Sequence, residues 1–119
     1  MNKGAIYEDK AVEFLKLNGY KILMRNFHSP WGEIDIVAKD KKYIAFVEVR
    51  ARGKRGLISP LETIDRKKQS KIELTAKVYY QMSPNKSYRF DTLSITDAGN
   101  YCLYELIKGA FYVDEKREF

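Results

Sequence analysis

Residues 31–50 constrain the fold more than any other stretch of the chain. Two apolar runs, Trp31–Ala38 and Tyr43–Arg50, flank the short polar connection Lys39-Asp40-Lys41-Lys42. Two strand-like runs joined by a few polar residues form the pattern of a β-hairpin. This hairpin is the most hydrophobic part of the chain, so it belongs at the centre of whatever sheet is built.

The remaining elements follow from periodicity and turn chemistry. Residues 4–18 read as a helix, with Ala11, Val12, Phe14 and Leu15 near a 3.6-residue period and Asn18-Gly19 as the stop signal. Tyr20–Met24 reads as a short strand and Asn26–Pro30 as a turn. After the hairpin, residues 51–60 read as a basic, Gly-containing loop. A long helix follows, from about Leu61 to Met82, closed by Ser83-Pro84-Asn85. Tyr88–Thr96 is a strand, 97–100 a turn, and Tyr101–Ile107 the last strand, with a charged, frayed tail after Val113. The order α-β-β-β-α-β-β predicts an α/β (α+β) fold with a central mixed β-sheet flanked by helices. At 119 residues the chain is expected to form one domain, 1–119.

The hairpin carries acids. Trp31, Glu33, Asp35 and Val37 share one face of the first strand; Ile44, Phe46, Glu48 and Arg50 share one face of the second. An even-numbered connection puts odd residues opposite even ones, so Asp35 and Glu48 fall on the same side of the sheet. A one-residue slip would separate them. Two carboxylates this close repel each other, and partial burial disfavours both charges. A divalent cation resolves that conflict. Mg²⁺, or Mn²⁺ in its place, prefers oxygen ligands and takes one or two carboxylates with waters and substrate phosphate. The alternative is a salt-bridged pair of strands, with Glu48 and Arg50 on one face and Glu33 near Arg50 in some registers.

Two helical residues extend the constellation. Glu8 shares a stripe with Ala11, Val12 and Leu15, which would turn it inward toward a metal, directly or through water. The alternative stripe Tyr7, Ala11, Phe14 and Leu15 leaves Glu8 at the wet boundary. On the second helix, Ile64, Lys68 and Ile72 are spaced i, i+4, i+8, so a lysine interrupts an apolar row. Lys68 projects either toward the acids or a nearby phosphate, or snorkels into water.

Charge placement narrows the partner. The net charge is +6, and the window Arg50–Lys71 accounts for all of it: Arg50, Arg52, Lys54, Arg55, Arg66, Lys67, Lys68 and Lys71 against Glu62 and Asp65. A patch this concentrated suits a polyanion, and nucleic acid is the commonest one. The competing reading is a solvated loop and helix face. Other classes are disfavoured. Cys102 is the only cysteine and cannot form an internal disulfide; His28 is the only histidine and cannot build a zinc site alone. No apolar run approaches the ~20 residues of a membrane span. Met1-Asn2-Lys3-Gly4 leads into a mixed polar stretch without the apolar segment of a signal peptide. A cytoplasmic location is expected. Trp31, Tyr79 and Tyr80 are expected to pack in the core or cover a sheet edge rather than stack on bases.

The run Gly32-Glu33-Ile34-Asp35-Ile36-Val37-Ala38, followed by Phe46-Val47-Glu48-Val49-Arg50-Ala51-Arg52, closely resembles the YraN-like family of small bacterial proteins. Glu8 with Ala11, residues 18–23, Arg25-Asn26-Phe27, Lys68, Arg89-Phe90-Asp91 and Ala110-Phe111 extend that resemblance over nearly the whole chain. The family in turn resembles the PD-(D/E)xK nuclease superfamily, near the archaeal Holliday-junction resolvases. The resemblance implies a restriction-endonuclease-like fold. It also implies a divalent metal bound by Asp35 and Glu48, with Glu8 completing the site. The superfamily has lysine where this chain has Arg50. Arginine stays charged and cannot act as a base, but it can hold a scissile phosphate with a bidentate fork.

The function expected on these grounds is a Mg²⁺- or Mn²⁺-dependent endonuclease acting on branched or otherwise non-standard DNA. Glu8, Asp35, Glu48 and Arg50 would be its catalytic residues. Arg52, Lys54, Arg55, Lys67, Lys68 and Lys71 would hold the nucleic-acid backbone, and a homodimer would be favoured for cutting two strands. The rival expectations are a non-catalytic nucleic-acid-binding module on a nuclease-like fold, supported by Arg50, and a protein-interaction domain that uses the basic window.

Overall fold

The computed structural model describes residues 3–53 and 66–111. Along the chain these form α1 (Lys3–Leu17), β1 (Lys21–Ser29), β2 (Gly32–Asp40), β3 (Tyr43–Arg52), α2 (Arg66–Met82), β4 (Ser87–Asp97) and β5 (Cys102–Phe111). The order is the expected α-β-β-β-α-β-β. Lys54, Arg55, Ile64, the start of the second helix at Leu61 and the tail after Val113 lie outside the described residues.

The strands make one five-stranded sheet in the order β1-β2-β3-β4-β5. β1–β2, β2–β3 and β4–β5 are antiparallel, whereas β3 and β4 run parallel from Tyr43↔Ser87 to Arg52↔Thr96. A parallel neighbour cannot be reached by a tight turn. The chain therefore leaves β3 at one end of the sheet, and α2 precedes β4.

Each helix covers one face. Ala11, Val12 and Leu15 of α1 pack with Ile36, Ala38, Ala45, Val47, Leu93 and Ile95. Ile72 and Ala76 of α2 pack with Phe27, Val37, Ile44, Phe46, Phe90 and Phe111 on the other face. Both helix stripes considered for α1 contribute: Tyr7 and Phe14 flank the first cluster, and Phe14 stacks on Tyr104 at 4.6 Å. Tyr79 meets Phe27 and Phe46 edge-on and so packs as expected. Trp31 does not: it sits in the Pro30–Trp31 turn, 49% exposed.

Where α1 stops, Gly19 takes φ +88°. Its amide bonds the Lys16 carbonyl at 3.1 Å, and the Tyr20 amide bonds the Leu15 carbonyl at 2.9 Å. This glycine-dependent cap turns the chain sharply and delivers Tyr20 into the core.

The strand boundaries correct two sequence expectations. Asn26–Pro30 is not a turn, because β1 continues through Asn26 to Ser29. The last strand extends past Ile107 to Phe111. Turn-like residues misled in both places. Asn26 adopts φ +55° inside a strand, and Gly109 adopts φ +65° within β5. The β2–β3 connection is also tighter than four residues, with Asp40 paired to Tyr43 and Lys41-Lys42 forming the turn.

Candidate active site

The site is built where β2 and β3 part. Their ladder runs from Asp40↔Tyr43 to Ile36↔Val47, so odd residues face even ones as the two-residue turn requires. The next step would set Asp35 opposite Glu48, but the ladder stops there. The Val49 amide, beyond the last β2–β3 pair though still in register with Leu93 of β4, donates to Asp35 Oδ2 at 2.8 Å. A backbone donor left without a partner where two strands part is costly, and here a carboxylate accepts it.

The reason for the break is a face swap. Ile36 packs on the α1 side and Val37 on the α2 side, as alternation demands, yet Ile34 packs with Phe27 on the α2 side as well. β1 swaps at the same level: Arg25, paired with Ile36, reaches α1, while Phe27, paired with Ile34, turns toward α2. Asn26 and Asp35 are the residues between those two pairs. Asn26, at φ +55°, absorbs the irregularity in β1, a conformation asparagine tolerates better than most residues. Strict alternation through Glu33, Asp35 and Val37 is thus corrected, but Asp35, sitting at the swap, still meets Glu48.

The two carboxyls lie within hydrogen-bonding reach of each other, and the Asp35 carboxyl is pushed up to about 7. Burial is the largest cause, followed by the Glu48 charge; the Val49 amide pulls the other way. Glu48 is buried, and its Oε1 meets Lys68 Nζ at 2.6 Å. Lys68 therefore projects toward the acids, with its side chain half-exposed. Arg50 follows two residues after Glu48, beside Ser94 of β4.

Glu8 stands apart from the carboxyl pair. Arg25 Nε and Asn26 Nδ2 donate to its Oε1 at 2.9 and 3.0 Å. It does share a cleft of about 420 Å³ with Asp35, Glu33, Asn26, Tyr7 and Val49. Among the described residues no three or more His, Cys, Asp and Glu side chains group as a metal site. Asp35 and Glu48 are the carboxyls brought into mutual contact here.

Around this point lie the expected basic residues that the structure describes. Arg66, Lys67, Lys68 and Lys71 are exposed on the first turns of α2. Arg52 ends β3; its Nη1 donates to the Ala51 carbonyl at 3.0 Å, and its buried Nε has no partner. His28 is in β1, exposed, with Nδ1 3.4 Å from Glu33 Oε2. Sequence reasoning overlooked Asn26 and Arg25 as the clamp on Glu8, and the Val49 amide as the clamp on Asp35. Asn26 carried a readable signal, an asparagine inside a strand-like run; the Val49 amide carried none.

A second polar cluster lies elsewhere on the sheet. Fully buried Asp91 accepts hydrogen bonds from Tyr20 Oη, Arg89 Nε and Nη2, and the Gly109 amide, at 2.8 to 3.0 Å. Arg89 Nη2 and Lys108 Nζ both donate to Asp40 Oδ2 at 2.8 Å. The i, i+2 spacing of Arg89 and Asp91 on one strand face was its visible trace.

The profile described as "Uncharacterised protein family UPF0102" matches residues 7–95 of this chain. A UPF0102 protein of Persephonella marina is 46% identical over 114 residues, covering 94% of this chain and 95% of the relative. UPF0102 proteins of Clostridium botulinum strains 657 and Hall are 43% and 44% identical over 116 residues, each covering 92% of this chain and 94% of the relative.

Proposed function

The chain belongs to the UPF0102 family, and on that premise we propose that it is a metal-dependent endonuclease acting on branched or otherwise non-standard DNA in the cytoplasm. The observation that carries this reading is the Asp35–Glu48 pair, two carboxyls in mutual contact with Lys68 beside Glu48. Such a pair is an electrostatic debt unless something positive joins it.

The donor chemistry fits Mg²⁺ or Mn²⁺. Both side chains offer oxygen only, and two carboxylates are as many as Mg²⁺ usually takes from protein. When bound, such an ion supplies an activated water and offsets charge on the phosphate. The chain's own residues do the rest. The Val49 amide and Lys68 fix the orientations of Asp35 and Glu48. Glu8, held by Arg25 and Asn26, offers a further acceptor for water in the same cleft. Arg50 grips the phosphate and stabilises charge that develops on it. Arg52, Lys67 and Lys71, with Lys54 and Arg55 from the same basic window, draw in the backbone without reading bases, so binding weakens steeply with salt. Cutting both strands of a junction would call for two copies of the chain.

A second reading, a nucleic-acid-binding module without catalysis, is favoured by the Lys68–Glu48 ion pair and by Arg50, which cannot serve as a base. The test is incubation with four-way junction and flap DNA plus Mg²⁺ or Mn²⁺. Cleavage by the wild type and its loss in Asp35→Asn and Glu48→Gln are expected. Wild-type rates in Asp35→Asn overturn the site; salt-sensitive binding with no cleavage in either metal establishes the second reading.

A further inference from the structure

Trp31 is half-exposed on a turn that is anything but loose. Its amide donates to Ser29 Oγ at 3.1 Å. The Ser29 and Thr75 hydroxyls lie 2.7 Å apart, and Thr75 Oγ1 donates to the Lys71 carbonyl at 2.9 Å. Thr75 is fully buried in α2. A Cβ built on the neighbouring Gly32 would meet Lys71 Cβ and Thr75 Oγ1 at 3.8 Å, so the turn rests directly on the helix. The backbone under the indole is therefore anchored while the residue stays half-exposed.

Its neighbourhood is specific. Lys71, against which the turn packs, belongs to the exposed basic edge formed with Arg66, Lys67 and Lys68. Lys68 on that same edge reaches Glu48. Asp35 follows Trp31 by four residues along extended chain, roughly 13 Å at the rise of a β-strand. One helix thus ties together an aromatic face, a row of cations and the carboxyl pair.

A half-exposed aromatic ring on a turn that rests on a basic helix edge suits a flat, anionic-backboned ligand. Nucleobases stack on such rings whatever their sequence, but only when they are out of the duplex. We propose that Trp31 stacks on an unpaired nucleobase next to the carboxyl pair, so that the site takes single-stranded or distorted DNA in preference to intact duplex. This rests on the nucleic-acid reading above and adds the feature of the substrate that the ring selects.

Trp31 is the only tryptophan in the chain, so intrinsic fluorescence reports on it alone. The full chain is titrated in EDTA with poly-dT of about a dozen nucleotides, within the site size of one binding face, and with a blunt duplex of equal length. Quenching by poly-dT is expected, and Trp31→Ala should weaken poly-dT binding roughly five- to hundredfold. Duplex affinity should stay within about twofold, and Trp31→Tyr should retain most of the poly-dT affinity. Equal poly-dT affinity in wild type and Trp31→Ala overturns the stacking role while leaving the cleavage test untouched. Quenching with no cleavage in any metal supports stacking and sinks the nuclease reading instead. No binding to either DNA overturns both.

Discussion

Two pairs of carboxylates sit on this sheet, and they are handled in opposite ways. Asp40 and Asp91, 5% and 0% exposed, meet Arg89 and Lys108, so two negative charges face two positive ones. Burial pushes Asp40 up, but hydrogen bonds from Lys108 and Arg89, and their charges, outweigh it and hold the carboxyl below its ordinary range. Lys68 meets Glu48 on one side of the second pair, yet Asp35 is held well above its ordinary range. The first pair is a finished structural joint. The second keeps a carboxyl raised by burial and by its neighbour's charge, a conflict that a shared proton or a divalent cation can relieve. A carboxyl left raised in a fold able to neutralise carboxylates elsewhere is a better pointer to chemistry than burial alone.

The comparison breaks most visibly if its finished half is opened. Arg89→Met should leave Asp40 and Asp91 buried with their main partner gone. A loss of about 3–5 kcal/mol is expected, the usual cost of uncovering one side of a buried pair, measured by urea denaturation. A loss below about 1 kcal/mol would mean that water or Lys108 already carries the compensation, and the contrast between the two pairs would lose its structural half.

The mirror experiment is Asp35→Asn, which should stabilise the fold. Asparagine keeps an oxygen for the Val49 amide and removes the repulsion. A gain of about 1–3 kcal/mol at pH 8 is expected from the raised carboxyl, alongside loss of cleavage, the trade that functional sites commonly show. The sign in pH is opposite for the two pairs. Because Asp35 is raised, the folded state binds more protons than the unfolded chain between about pH 4 and 7. Its contribution is therefore greatest at acid pH, and stability falls as pH rises through that window. Because Asp40 is lowered, its contribution is present above about pH 4 and is lost as pH falls through its depressed value. Urea midpoints between pH 4 and 8 should show the Asp35 decline in the wild type and not in Asp35→Asn. Mg²⁺ should stabilise the wild type more at pH 8 than at pH 5, because the ion competes with the proton. A flat wild-type profile without metal would show that neither burial nor Glu48 raises the Asp35 carboxyl.

How far the site was legible differs between these regions for physical reasons. Element order, the central hairpin and the meeting of Asp35 with Glu48 follow from hydrophobic period and parity, both local properties of sequence. The face swap does not. It depends on Asn26 and Asp35 lying at one level of neighbouring strands, and so on a register set by tertiary pairing. Trp31 was misjudged because apolarity argues for burial, and only the clasp of Ser29 on Thr75 explains how a turn can hold the ring outside. The Asp40–Arg89–Asp91–Lys108–Tyr20 network joins residues up to 71 positions apart, so spacing could show little more than its Arg89–Asp91 core.

The smallest effect tests the origin of the swap itself. Asn26 combines a left-handed backbone with a hydrogen bond to Glu8. Asn26→Gly removes the strain and the hydrogen bond together, and since the side chain is exposed the two nearly cancel, within about 0.5 kcal/mol. Asn26→Ala loses the bond and keeps the strain, costing about 1–1.5 kcal/mol. If both variants lose the same amount, the bond to Glu8 rather than the backbone governs the residue. The swap that frees Asp35 would then be held by the clamp between β1 and α1, and the raised Asp35 carboxyl would depend on Glu8 through the fold as well as through the cleft.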